Sequence, residues 1–308
     1  MNDGCEVTVR FCLPPPTLRP YFTTFYQTCV TVGQGPVTDY LHPEWANMRF
    51  ISGDLPRGQL ADEPPLTDAS FIVSGPTSTA IRFTVGTIRM WGVGLLPLGW
   101  AKFVDAPAAL HADKLVNGRH QPVYADFVPL ADSLFGEEPD SDAELARIGA
   151  HFLARLGIPV PDEARIVACH EAVIDPEVHD VGDLVERSGI PQRTLERVCR
   201  RHFGFAPKLL LRRQRFMRSL AQFVLDPRRK WIGALDDHYH DQAQFVRDFR
   251  RFMGMSPRQY AALRHPILEA VMRQRMAFSG EPVQALHRPD GSSARVRPRL
   301  QASSLAGD

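Results

Sequence analysis

Six arginines occur at matched spacing in two stretches of the chain. The stretches begin at Leu195 and Phe245, and each also carries a glycine and a proline at the same later offsets. The six are Arg197, Arg200, Arg201, Arg247, Arg250 and Arg251. A guanidinium can form bidentate hydrogen bonds to phosphate oxygens or to the edge of a guanine base. Such an internal repeat predicts one supersecondary unit used twice, with side chains suited to a polyanion.

Each copy predicts a basic amphipathic helix. Apolar residues recur at helical spacing on one face, and the arginines lie on the other. The apolar residues are Leu195, Val198, Cys199 and Phe203 in the first copy and Phe245, Phe249, Phe252 and Met253 in the second. Shorter helices are predicted before them, over residues 181–187 and roughly 231–237. A helix, a tight turn and a basic helix make a helix-turn-helix unit, whose second helix enters the major groove of DNA.

The distribution of charge supports this interpretation. Residues 178–275 hold 20 Lys and Arg against 10 Asp and Glu, whereas the whole chain has a formal net charge of only +1. A third basic helix is predicted over residues 208–224, between the two units, and its arginines are Arg212, Arg213, Arg215 and Arg218. A single arginine-rich face can be ordinary solvent-exposed helix surface. Two matched copies joined by another basic helix favour a nucleic-acid surface.

The stretch from about 165 to 264 resembles the DNA-binding domain of AraC-type (AraC/XylS family) transcriptional regulators, in which a long helix bridges two helix-turn-helix units. The matching motifs are Gly204-Phe-Ala-Pro207-Lys208, Arg215-Phe216, Asp241-Gln242-Ala-Gln-Phe245-Val-Arg247-Asp-Phe249-Arg250-Arg251 and Gly254-Met-Ser-Pro257-Arg-Gln-Tyr260. The sequence departs from the family where His238 replaces the glycine before Tyr239 in the second turn. Glycine tolerates positive φ at little cost, and histidine tolerates it better than most residues, so we expect the turn to survive in a strained or reshaped form and the base contacts of the second unit to be weaker.

Position-for-position carry-over from the family implies two sets of DNA contacts. Base contacts are expected from Arg193, Glu196 and Arg197 in the first recognition helix and from Gln242, Gln244 and Arg247 in the second. Arginine reads guanine, glutamine reads adenine, and glutamate accepts from cytosine. Phosphate contacts, which position a protein without specifying sequence, are expected from Arg200, Arg201, Arg250 and Arg251.

The first half of the chain differs in composition from the second. Short apolar runs, such as residues 69–73 and 80–85, are broken by frequent Gly and Pro, which predicts β-strands arranged as a sandwich or barrel. A helix is predicted over residues 143–156. The family resemblance implies a sensor or dimerisation domain here, often a cupin-like barrel. The fold class is therefore α+β, with a β-rich domain over 1–160, an all-α double helix-turn-helix domain over 165–275 and a disordered tail over 277–308.

An effector pocket in the β-rich domain is the least specific of these expectations. Its candidate residues are His42, Trp45, Trp91 and Trp100, and ordinary core packing is the alternative interpretation of each. His42 and Glu44 have the spacing of two metal ligands on one strand face. The His-x-His and later His of a cupin metal site are not present, so neither a metal nor a cofactor is predicted.

Together these features predict a sequence-specific transcriptional regulator, controlled by a small molecule or partner on its N-terminal domain, and not an enzyme. Two alternatives remain: a metal-dependent cupin-like enzyme fused to a DNA-binding domain, and a ligand-independent architectural DNA-binder. The expected partners are double-stranded DNA, a small-molecule effector and a second copy in a homodimer, with RNA polymerase a further candidate. The N-terminus lacks a signal peptide and no apolar run is long enough for a bilayer, which favours a cytoplasmic protein without membrane contact.

Overall fold

The computed structural model describes residues 4–225, 239 and 242–288. Within these residues the first part of the chain forms nine β-strands. They are β1 (Cys5–Cys12), β2 (Phe22–Val32), β3 (Val37–Leu41), β4 (Asn47–Gly53), β5 (Arg57–Leu60), β6 (Phe71–Ser74), β7 (Ile81–Val85), β8 (Ile88–Leu95) and β9 (Leu115–Asn117). Six strands form an antiparallel sheet in the order β1-β2-β8-β4-β6-β9, and three form a second sheet in the order β3-β7-β5.

The six-stranded sheet is buried on both faces. Because successive strand residues point to opposite faces, Trp91 and Val93 of β8 enter an aromatic-rich core on one side. Ile88 and Met90 of the same strand enter an aliphatic core on the other side. The aliphatic core is shared with Val85 of the three-stranded sheet, which therefore packs face to face against the larger one.

The two sheets do not close into a barrel. Among the described strands, neither hydrogen-bonded order returns to its first member, since β1 and β9 end one sheet and β3 and β5 end the other. The β-rich first half and the helical second half confirm the predicted fold class. The cupin-like barrel that the family resemblance implied is replaced by a pair of open sheets.

Three helices cover the aromatic face of the larger sheet: α1 (Pro97–Phe103), α2 (Val128–Ser133) and α3 (Ser141–Leu153). Ile148 and Phe152 of α3 are buried in this core, as the helical spacing predicted. Glu144 is also fully buried and holds α3 to the sheet. Its carboxylate accepts from Trp91 Nε1 at 2.7 Å and lies 2.7 Å from Arg89 Nη1.

The second half of the chain is helical. Its helices are α4 (Glu163–Ile174), α5 (Val181–Ser188), α6 (Gln192–Val198), α7 (Pro207–Leu225), α8 (Gln242–Met253), α9 (Pro257–Ala262) and α10 (Pro266–Ser279). Helices α4 to α6 and the start of α7 surround one apolar core. The rest of α7 packs with α8 and α9 around a second core that contains Phe216, Phe249 and Tyr260. Each core thus supports one of the two predicted units, and α7 joins them.

The end of the described chain differs from the disordered tail predicted for residues 277–308. Helix α10 continues to Ser279, and a short 3-10 helix follows at Gln284–Leu286. Val283 and Ala285 are buried, and Gln214 of α7 donates to the Ala285 carbonyl at 2.7 Å. Sequence composition missed this segment because the contacts that hold it are made with residues far away in the chain, such as Gln214. The remainder of the predicted tail, 289–308, lies outside the described residues.

Helix α10 is capped by a residue from the β-rich half. His265 at its N-cap makes no side-chain capping bond, and Pro266 has no N–H to satisfy. The buried carboxylate of Asp39 in β3 instead accepts from the amides of Ile267 and Leu268, at 3.0 and 2.9 Å. A carboxylate at a helix N-terminus satisfies free amides and opposes the positive end of the helix dipole. Asp39 therefore joins the two halves of the chain through a helix cap.

Replacing Asp39 by alanine should lower the free energy of unfolding by about 1–3 kcal/mol, because two buried amides lose their acceptor. Urea denaturation followed by tryptophan fluorescence measures the change. The matched control is Asp54→Ala, since Asp54 also accepts a backbone N–H, from Thr87 at 2.8 Å, but in an exposed turn. A loss no larger than that of the control would contradict the capping role.

Two histidines are buried where the halves meet. His42 Nε2 lies 2.8 Å from the hydroxyl oxygen of Tyr260 in α9. The ring of His170 in α4 packs edge-on against Trp45. Burial penalises the charged imidazolium and lowers the pKa of both rings to about 3. Both side chains are therefore neutral in the folded protein near neutral pH.

This burial predicts a loss of stability in mild acid. An unfolded histidine takes up a proton below a pKa of about 6.5, whereas the folded rings stay neutral. The stabilisation is therefore fully present above pH 6.5 and is lost as the pH falls toward 3, by up to about 1.4 kcal/mol per pH unit for each ring. We expect His42→Gln to reduce the loss of unfolding free energy between pH 6.5 and 5.5, as measured by urea denaturation. The exposed His120→Gln is the control, and equal slopes for both variants would contradict the assignment.

Candidate nucleic-acid interface

The first helix-turn-helix unit is built from α5 and α6. A capping box begins α5: Asp180 accepts from the Asp183 amide at 2.9 Å, and Asp183 accepts from the Asp180 amide. Helix α5 ends at Gly189, whose φ of +66° favours glycine because it has no Cβ. Pro191 then precedes α6. The tight turn predicted between a short helix and a basic helix is confirmed here.

The first recognition helix extends beyond α6. A π-helical turn, Cys199–Phe203, continues it to Gly204. Its apolar stripe, Leu195, Val198, Cys199 and Phe203, is fully buried, which confirms the predicted amphipathic pattern. The opposite face is exposed and consists of Arg193, Glu196, Arg197, Arg200 and Arg201. The residues predicted to contact bases and those predicted to contact phosphates thus share one exposed face.

The second recognition helix is α8. Its apolar stripe of Phe245, Phe249, Phe252 and Met253 is buried, again as predicted. The polar residues predicted to contact DNA are exposed, apart from the half-buried Gln244, and are Gln242, Arg247, Arg250 and Arg251. The helix predicted over 231–237 and the turn residue His238 lie outside the described residues. The expected strain in that turn therefore stays a prediction.

Asp248 sets the position of α8 against α7, and sequence analysis did not single it out. Its carboxylate is fully buried and lies 2.5 Å from Arg212 Nη2 and 3.4 Å from Arg215 Nη2. The hydroxyl of Tyr239 also donates to it, at 3.0 Å. An acidic residue between Phe245 and Phe252 at the spacing of the buried stripe is the sequence signal that could have revealed it.

The arginines of α7 do not add to an exposed basic surface as the charge count suggested. Arg212 and Arg215 share the single buried carboxylate of Asp248. Arg213 is fully buried against the β-rich half, where its guanidinium lies 4.2 Å from the Trp45 ring centroid. Arg218 is half-buried. The charge count could not separate these groups from the exposed arginines, because spacing on a fully packed helix does not show which face meets a neighbour.

Part of the β-rich half lies beside the first recognition helix. Pro107 and Ala109 line a groove together with the exposed polar residues of that helix, which are Arg193, Glu196, Arg197, Arg200 and Arg201. Asp162, just before α4, lies 3.3 Å from Arg197 Nη1 and also pairs with Arg165. The hydrogen bond from Arg165, together with the charge of Arg197, holds the pKa of Asp162 below its usual range. The main base-reading candidate is therefore engaged by an internal carboxylate.

The four candidate effector residues lie in different parts of the structure, and only His42 lines a cavity. His42 lines a cavity of about 130 Å³ between the two sheets, which we call the inter-sheet cavity. Its other walls include Ile72, Ile81 and, from α10, Ile267 and Arg275. The three tryptophans lie elsewhere: Trp91 and Trp100 are in the aromatic core, and Trp45 packs against the helical half.

His42 and Glu44 do not act as a ligand pair in the described structure. His42 faces Tyr260, and the Glu44 carboxylate lies 2.5 Å from Arg49 Nη2. No group of three or more His, Cys, Asp or Glu side chains suited to a metal occurs among the residues that the structure describes. In the same part of the chain, no helix has the length and apolarity needed to cross a membrane.

Comparison with known families gives a match over residues 184–262 to a family described as "Helix-turn-helix domain". The match assigns a helix-turn-helix domain of the AraC type to this stretch of sequence, as the motifs indicated. Among solved structures, the chain is similar to ToxT from Vibrio cholerae, with 12% identity and a TM-score of 0.40 over 84% of this chain and 98% of that one. It is also similar to the AraC-like transcriptional activator CuxR, with 11% identity and a TM-score of 0.26 over 70% of this chain and 96% of that one. No curated protein matches the chain.

The pairing of Asp162 with Arg197 predicts that Asp162→Asn increases affinity for DNA. The substitution keeps the side-chain size but removes the charge that competes for Arg197. Since Arg197 is 55% exposed, solvent screens the pair, and a gain of about two- to fivefold is expected. Fluorescence anisotropy with a labelled duplex containing the bound site measures it.

The control for this experiment is Asp175→Asn. Asp175 has the same 16% side-chain exposure and also pairs with a surface arginine, Arg187, at 2.8 Å. It therefore reproduces the change in net charge without touching Arg197. An equal gain for the two variants would show that only the net charge matters and that Asp162 does not restrain Arg197.

Proposed function

We propose that the chain is a sequence-specific regulator of transcription whose DNA-binding half is controlled by a small molecule held in its β-rich half. The observation that carries the DNA-binding part is the matched pair of recognition helices. Each buries a complete apolar stripe and presents a basic face to solvent. If the basic face of a helix served only to meet solvent, a second copy with the same spacing would not be required.

The roles of the exposed residues follow from their order along each helix. Arg193, Glu196 and Arg197 lie in the first half of the first recognition helix, where a helix in the major groove contacts base edges. Arg200 and Arg201 lie about one turn later, beside phosphates. Gln242, Gln244 and Arg247 are assigned to bases in the second unit, and the corresponding phosphate contacts come from Arg250 and Arg251. Two such helices on one chain suit successive major grooves about 34 Å apart.

The inter-sheet cavity supports the proposed control by a small molecule. It is walled by both sheets and by α10, which is separated by only three residues from α9, a helix that packs in the same core as recognition helix α8. A ligand held there contacts both halves of the chain at once. Further proposed partners are a second copy of the chain and RNA polymerase at a regulated promoter.

The assignment of roles predicts different outcomes for two neighbouring arginines. Arg197→Ala should cost about 1–3 kcal/mol on the specific site only and relax preference at one or two base pairs. Arg200→Ala should weaken specific and random DNA about equally and reduce the salt dependence by about one phosphate contact. Binding of each variant to a randomised operator library, read by sequencing, compares them.

Both arginines are exposed on the same helix, so each variant serves as the control for loss of one positive charge. The reverse result, with altered base preference in Arg200→Ala and a uniform loss in Arg197→Ala, would place the recognition helix about one turn out of the proposed register. A chain that binds all sequences equally would support the ligand-independent architectural role and contradict regulation of specific sites.

A further inference from the structure

Two of the five cysteines face each other in the core that supports the first helix-turn-helix unit. Cys169 lies in α4, Cys199 begins the π-helical turn of the first recognition helix, and their Sγ atoms are 3.6 Å apart. Both side chains are fully buried, and one thiol donates a weak hydrogen bond to the other. The proposed function uses the exposed face of this helix and does not account for a pair of thiols behind it.

The other three cysteines do not form a comparable pair. Cys5 and Cys12 lie in β1, and Cys29 lies in β2 opposite Thr8, which is three residues from Cys5 and four from Cys12. At about 3.4 Å per residue, Cys29 is roughly 10 Å or more from each of them, whereas a disulfide needs Cα atoms within about 7 Å. Cys5 and Cys12 lie still further apart along one strand. Of the described cysteines, the two in the helical core are the pair whose sulfurs approach bonding distance.

The surroundings of this pair disfavour a thiolate but accept a disulfide. The hydrogen bond with Cys199, together with burial, holds the pKa of the Cys169 thiol well above its usual value. The thiolate is the reactive form, and an oxidant reaches it only when α4 and the recognition helix part transiently, so oxidation is slow. A disulfide carries no charge and needs no hydrogen bond, so the apolar core accommodates it once formed. The pair is therefore suited to sustained oxidation.

A hydroperoxide, for example hydrogen peroxide, supplies the oxidising equivalents. The sulfur of one deprotonated thiol attacks a peroxide oxygen, the O–O bond breaks, and a sulfenic acid forms while hydroxide leaves and takes up the released proton. The sulfur of the second thiol then displaces the sulfenic hydroxyl group. The S–O bond breaks, the S–S bond forms, and the hydroxyl leaves as water with the proton of that thiol. Two thiols and one hydrogen peroxide thus give one disulfide and two waters, and two electrons pass from sulfur to oxygen.

A disulfide at this point would displace the recognition helix. The S–S bond is about 2.0 Å long, so the sulfurs must approach by about 1.5 Å from their distance of 3.6 Å. Val198 and Phe203 are fully buried beside Cys199, and a close-packed core transmits such a shift to its neighbours. A hydrogen bond to a base edge tolerates a range of donor–acceptor distance of only about 0.5 Å. Base reading by Arg197 is therefore more sensitive to the shift than the charge-dependent binding of phosphates.

We propose that Cys169 and Cys199 form a redox modification site, at which a hydroperoxide makes a reversible disulfide that draws the first recognition helix toward α4 and weakens recognition of the specific DNA site. The formation of the bond follows from the position of the two sulfurs alone. Its effect on DNA rests on the proposed function. Reduction by a dithiol restores the two thiols and, with them, the position of the helix.

The first test maps the bond in the full-length protein. The protein is treated with excess hydrogen peroxide, free thiols are blocked by alkylation in denaturant, and the digest is analysed by mass spectrometry. We expect a linked peptide that contains Cys169 and Cys199 and has lost two hydrogens. It should be absent from Cys169→Ala. The matched control, Cys12→Ala, removes another buried cysteine whose pKa burial raises, and it should retain the linked peptide.

The second test measures DNA binding by fluorescence anisotropy before and after peroxide treatment. Oxidation should weaken binding to the specific duplex about tenfold, as expected for the loss of one base contact, and change binding to a random duplex much less. Dithiothreitol should restore the affinity. The affinity of Cys169→Ala should not respond to peroxide, whereas that of Cys12→Ala should respond like the unsubstituted protein.

Absence of the linked peptide from the unsubstituted protein, or sulfinic acids at both cysteines in its place, would overturn the inference whether or not Cys169→Ala folds. A linked peptide without any change in affinity would overturn the control of DNA recognition. Failure of the proposed function is seen separately, in the reduced protein: if it prefers no sequence in the library experiment, regulation of specific sites is contradicted, while the peptide map still decides whether the disulfide forms.

Discussion

The arrangement of the whole chain depends on Arg213, a guanidinium buried between the two halves. Its Nη1 donates to the Thr77 carbonyl at 2.9 Å and to the Glu44 carbonyl at 3.4 Å, and its face covers the Trp45 ring. Burial lowers the pKa of Arg213 to about 9, which shows how strongly this site disfavours a free charge. Since α7 carries the first helix-turn-helix unit before it and the second after it, this contact bears on the position of both units relative to the sheets. Parting the halves would break both hydrogen bonds and expose the Trp45 ring, whereas the guanidinium itself would regain its hydration.

With α7 fixed in this way, the β-rich half contacts both DNA-binding units. Near the first, Pro107 and Ala109 lie beside the exposed face of the recognition helix. Near the second, the Ala80 amide donates at 2.7 Å to the Phe252 carbonyl in the last turn of α8. Asp39 then caps α10, which closes the inter-sheet cavity. The sheets are therefore not a separate module attached by a linker, because Asp39 and Ala80 make hydrogen bonds with α10 and α8.

The sequence predicted those features that depend on local periodicity. The two buried stripes and the turn at Gly189 follow from spacing within a dozen residues, and the structure has them. The repeat follows from a comparison of two such short stretches, which begin at Leu195 and Phe245. The sequence did not predict the roles of Arg213, Asp248 and Asp39, because these roles come from contacts between residues far apart in the chain. Four arginines on α7 look equivalent as a charge pattern, yet one is buried on Trp45 and two share the carboxylate of Asp248. The sequence could not place Trp45, Trp91 and Trp100 either, because aromatic residues occur both in cores and in ligand pockets. Their position outside the inter-sheet cavity depends on how the whole chain packs.

The proposed control follows from how a ligand can act on such an arrangement. A ligand shifts an equilibrium only by the difference in its affinity for the two states. A ligand held between the sheets and α10 gains its contacts only while α10 is docked, so it favours the arrangement in which the sheets contact both DNA-binding units. If DNA binding requires those contacts to loosen, the ligand and DNA would each lower the affinity for the other by the same factor, because such coupling is reciprocal. The effector would then act by holding the two halves together, without touching either recognition helix.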